Sequence, residues 1–91
     1  MTLETRLKQL KNKRDTVICH IDSYSMEYNK ILMEYNRLSS SEVVNREFKT
    51  MQEYEKTMLK YKKRLIKLED TITKYNKNLN LINTQIEFLS N

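Results

Sequence analysis

Ninety-one residues make one small domain at most, and with 38% hydrophobic residues the chain lacks the apolar surface for a thick globular core. It contains no Gly and no Pro, which excludes glycine-rich phosphate loops and leaves almost nothing to interrupt a helix. A single cysteine, Cys19, excludes an internal disulfide, no apolar run approaches the ~18 residues of a membrane span, and the net charge of +5 is built from 17 basic and 12 acidic residues mixed along the chain.

The first residues, MTLETRLKQLKNKRDTVICH, are charged throughout and lack the apolar block of a secretory signal, so Met1 is read as the native start and the chain as cytoplasmic or nuclear. From Leu3, alternating steps of four and three residues give Leu3, Leu7, Leu10, Arg14, Val17, Ile21, Tyr24, Tyr28, Ile31, Tyr35 and Leu38. Only Arg14 among them is charged. This is the a/d seam of a coiled-coil helix spanning about 2–38, and Arg14 within it either fixes register or snorkels outward.

Carried forward, the seam would put the polar residues Glu42, Asn45 and Lys49 in the core, so the register is lost in the connector, residues 39–50 (SSSEVVNREFKT). Two readings of it stand open. In one, Ser39 and Glu42 form a capping box and the second helix simply starts early. In the other, 42–44 and 47–49 are short strands of a β-hairpin turning at Asn45 and Arg46.

A second seam begins at Met51 and runs through Tyr54, Met58, Tyr61, Leu65, Leu68, Ile72, Tyr75, Leu79, Ile82, Ile86 and Leu89. All six tyrosines of the chain lie on the two seams. The second helix, about 51–89, matches the first in length, which favours an antiparallel hairpin over one long rod. The fold class is therefore all-α, a single coiled-coil domain over 1–91, with the connector's strands as an open addition. In that hairpin Leu38 lies near Met51, and Leu3 near Leu89 at the distal tip.

Three stretches resemble β-type prefoldins, and among them the subunit 6 branch: ILMEYNRL (31–38), SSSEVVNREF (39–48), and above all YKKRLIKLEDTITKYNKNL (61–79), which is similar to the KRL-aromatic-I-x-x-E-I pattern of the family's second helix. The chain departs from the family in having no Gly at the hairpin turn and a shorter connector. The stretch 51–68 is also similar to tubulin-binding cofactor A, whose third helix and mid-helix proline have no counterpart here. The prefoldin resemblance implies a hexamer of two α-type and four β-type subunits whose β-hairpins build a central barrel. Its coiled coils hold unfolded actin- or tubulin-like chains at their tips for a cytosolic chaperonin, without ATP or another cofactor.

Capture of unfolded chains needs exposed apolar groups. At the distal tip these are Leu81 and Phe88, off the seam, with Ile82, Ile86, Leu89 and Leu3, which would fray open near the chain ends; the competing role is closure of the coil. Val43, Val44 and Phe48 are the assembly candidates, since an isolated two-stranded hairpin gains stability by pairing its edges. The basic clusters at 5–14 and 56–67 read as solvated coil flanks, because nucleic-acid binding needs aromatics free to stack and these tyrosines occupy the seam. Cys19 and His20 have no second Cys or His to complete a metal site or catalytic pair. The expectation is a non-catalytic protein that binds no metal, nucleic acid or membrane. Its rivals are a structural coiled-coil adaptor or tether and a tubulin-folding cofactor.

Overall fold

The computed structural model describes residues 2–90; Met1, read as the native start, and Asn91 lie outside the described residues. Helix α1 spans Leu3–Leu38, α2 Ser41–Glu47 and α3 Met51–Ser90. Thr2 opens α1 as its N-cap, its side-chain oxygen accepting the Thr5 N–H at 3.2 Å. At the far end the Ser39 N–H and hydroxyl both donate to the Tyr35 carbonyl, at 3.1 and 2.9 Å, and satisfy one of the orphan acceptors of the last turn.

Helices α1 and α3 pack antiparallel into a rod of 65 × 18 × 14 Å. Residues paired across the seam sit in two layers. Towards the distal tip, Leu10 and Val17 meet Ile82, with Ile21, Tyr75, Leu79, Ile86 and Leu89 packed around them. Nearer the connector, Ile31 meets Leu65 and Leu68 among Tyr24, Tyr28, Leu32, Tyr35 and Tyr61. The heptad reading is realised over this length, and so is the all-α hairpin. At its ends Leu3, expected among the exposed tip residues, is open to solvent (56%), and so, against the expectation for a seam residue, is Met51 (63%). A two-helix seam has no third element to cover its last turn.

The connector corrects both sequence readings. No strand forms among the described residues, so 42–44 and 47–49 are not a β-hairpin; 41–47 is the short helix α2 instead. Nor does the second helix start early through Ser39. Ser39 closes α1, Ser40 with extended backbone (φ −69°, ψ 133°) opens α2, and Phe48 (φ −115°, ψ 130°) breaks the chain before α3. The Ser39–Glu42 capping box is therefore unused. A second S/T-x-x-E signal serves instead at the start of α3: Thr50 Oγ1 accepts the Glu53 N–H at 3.2 Å, and the Glu53 carboxylate accepts the Lys49 N–H at 3.3 Å.

The physical reason is burial. As a helix, α2 packs on α1 and turns Val43 inward, so that Leu38 and Val43 are both buried (3% and 7%); a hairpin without Gly would need strained residues at its turn.

Candidate functional site

The distal tip divides into two layers. Ile82, expected to fray open, is the most buried residue of the core at 2% exposed, so it belongs to the seam and not to a binding surface. Ile86 and Leu89 are half-buried against the same layer. Helix α3 runs without a break to Ser90, so Ile86 and Leu89 keep the phase of the seam. Leu81 (66%), Phe88 (80%) and Leu3 (56%) remain outside it. Leu81 and Phe88 are seven residues apart and so share one flank of α3. Phe88 and Leu89 line a mostly apolar hollow of about 300 Å³ with Arg6, Thr84 and Gln85, bringing α1 and α3 to one surface.

At the opposite end, the three assembly candidates are already engaged within the chain. Val43 is buried, Val44 and Phe48 are half-buried, and Phe48 meets Tyr54 edge-on with ring centroids 5.4 Å apart. The end of α2 is tied back to α1 by Arg37, whose guanidinium donates to Glu47 Oε1 at 2.8 Å and also to Glu34. These direct hydrogen bonds to Arg37 hold the carboxyls of Glu34 and Glu47 below the ordinary carboxylate value, and raise the arginine's own. The sequence reading missed this clasp; its only signal is an arginine flanked by acids three residues before and ten after.

Along the shaft, His20 stacks on Tyr75 (5.4 Å, 23°) and Tyr75 on Tyr24 (5.6 Å, 23°), so the histidine set aside as a bystander caps an aromatic stack across the two helices. Arg14 follows the snorkelling alternative: it is partly exposed and its Nε donates to Asp15 Oδ1 at 3.3 Å. Cys19 is exposed, and among the described residues no group of three or more His, Cys, Asp or Glu side chains converges as a metal site would require. No helix among them is long and apolar enough to cross a membrane.

On α1, Met26 and Met33 are exposed one heptad apart and share a face, while Ile18 is exposed on a different side of the helix. Comparison with known proteins returned no matching family model, curated protein or solved structure.

Proposed function

We propose that this chain is a non-catalytic co-chaperone of the prefoldin kind, which captures unfolded proteins at its distal tip and passes them to a cytosolic chaperonin without ATP. The observation that carries this reading is the pairing of a closed seam under Ile82 with large apolar side chains left outside it, at Leu81, Phe88 and Leu3. Such groups cost free energy in water and gain it by covering the exposed apolar surface of an unfolded chain. The likeness of 61–79 to β-type prefoldins supports it, and suggests actin- or tubulin-like clients, a cytoplasmic setting and assembly with other prefoldin-type subunits.

A helical connector has no strand to give to a β-barrel. In this reading, contact with neighbouring subunits would use the partly exposed Val44 and Phe48 by side-chain packing.

The test is suppression of aggregation of denatured actin or tubulin by wild-type chain and by the Leu81→Ser, Phe88→Ser double variant. The double variant is expected to lose most of the suppression with its helical circular dichroism unchanged. Undiminished suppression would sink tip capture.

The second reading, a structural adaptor, is favoured by the helical connector together with the exposed pair Met26 and Met33, which offers a partner helix an apolar contact. Affinity purification of tagged protein from native cytosol at low salt separates the two. Five other small coiled-coil subunits with trace chaperonin support the first reading, one large coiled-coil partner the second, and tubulin alone a tubulin cofactor.

A further inference from the structure

The heptad register that aligns the seam of α3 also aligns what flanks it. Steps of four and three from Lys60 give Arg64, Lys67, Thr71, Lys74 and Asn78, a row of hydrogen-bond donors with no acid among them. Three shallow hollows of about 430, 470 and 350 Å³ run end to end along this row. The first contains Lys60, Tyr61 and Arg64, the second shares Arg64 and passes Lys67 to Thr71 beside Tyr24 and Glu27 of α1, and the third shares Thr71 and ends at Lys74, Tyr75 and Asn78. Together they make one trough with a partly aromatic floor. Arg64 is neutralised by Glu27 of α1 at 2.8 Å, whereas Lys60, Lys67 and Lys74 take part in no ion pair among the described residues.

We infer that this trough is a docking site for an α-helix of a partner protein carrying Asp or Glu at heptad spacing. The three lysines are seven residues apart, so their charges repeat every ~10.5 Å over ~21 Å. A helix laid alongside presents one acid per heptad at that same repeat, and each meets one lysine as flanking charges do in coiled coils. Its apolar side chains would cover Tyr61 and Tyr75, which a third helix shields from water. A nucleic acid fits the trough less well. Duplex DNA carries one charge per ~1.7 Å, far denser than three lysines in ~21 Å. Moreover, Tyr75 is already stacked on His20 and Tyr24, so it offers no free ring to a base. The trough lies along the shaft, clear of Leu81 and Phe88, and the inference does not depend on client capture at the tip.

Fluorescence anisotropy of a labelled, helix-stabilised peptide with Glu at three heptad positions, titrated with the full chain, tests this. The expected result is saturable binding that weakens at least tenfold when Gln replaces Glu in the peptide, and that falls between 20 and 150 mM salt. Lys60→Glu, Lys67→Glu and Lys74→Glu together should weaken it at least tenfold, as should the milder triple change to Gln, with helicity retained. The charge-matched changes Lys56→Glu, Lys63→Glu and Lys77→Glu on the back of α3 should cost less than threefold. Equal binding of the Gln peptide, an equal loss from the back-face variant, or displacement of the acidic helix by a DNA or RNA oligonucleotide at 150 mM salt would each overturn the inference.

Discussion

Ile82 and Phe88 are six residues apart on one helix, yet one is 2% and the other 80% exposed. The difference is one of phase. Ile82 falls on the seam, and Phe88 one position short of the seam residue Leu89. Substitution should therefore separate stability from binding. Ile82→Ala removes buried methyl groups from the distal layer and is expected to cost about 2–3 kcal/mol, at the lower end for an aliphatic core residue because a thin seam can partly collapse. Phe88→Ser should stay within about 0.5 kcal/mol. Urea denaturation followed by circular dichroism measures both, and equal losses would mean that the two residues share one environment. The exposure of Phe88 was legible in the sequence. The burial of Ile82 so close to the chain end was not, since heptad phase gives the face but not where the ends fray.

At the scale of elements, the connector decides most. Its Val and Phe residues suit a strand and its serines suit a cap, so local preference left two answers, and burial of Val43 in an element packed on α1 selected a helix. The clasp of Arg37 with Glu34 and Glu47 makes the result sensitive to acid. Both carboxyls titrate below the ordinary value of 4.5 in the folded chain. Their contribution is thus complete above that value and is lost as pH falls through the lowered folded values. Carboxyl resonances of Glu34 and Glu47 should titrate below the ordinary carboxylate value, and Arg37→Ala should return both upwards; no change on that substitution would exclude the clasp.

The same element carries the assembly prediction. Val44→Lys with Phe48→Lys leaves the buried Val43 in place, and is expected to release the chain from co-purifying subunits while α1 and α3 stay helical. Retained assembly would place the interface elsewhere.

For the whole molecule, the rod's geometry limits its stability. Eight hydrophobic residues are buried among those described, and nine large ones are exposed. At about 25 cal/mol per Å² of apolar surface, such a seam works against a backbone entropy cost of about 1–2 kcal/mol per residue. The isolated chain is expected to lose helicity broadly and at low temperature, and to melt higher when a partner covers the exposed rows, since binding to the folded state alone adds stability by mass action. A sharp, cooperative transition at high temperature in the isolated chain would contradict this dependence on partners.

The sequence by itself determined the two long helices, their seams and their antiparallel pairing. The helices and seams follow from periodicity, which needs no knowledge of distant contacts, and the pairing from their matched lengths on either side of a short connector. It also placed Leu81 and Phe88 off the seam. Only the tertiary structure decided that the connector is helical, that Met51 escapes the core, and that Ile82 anchors it. It alone brought His20, Tyr24 and Tyr75 into one stack and joined three hollows into a trough. Each of these depends on what the facing helix covers, a relation between residues far apart in the chain that local spacing does not encode.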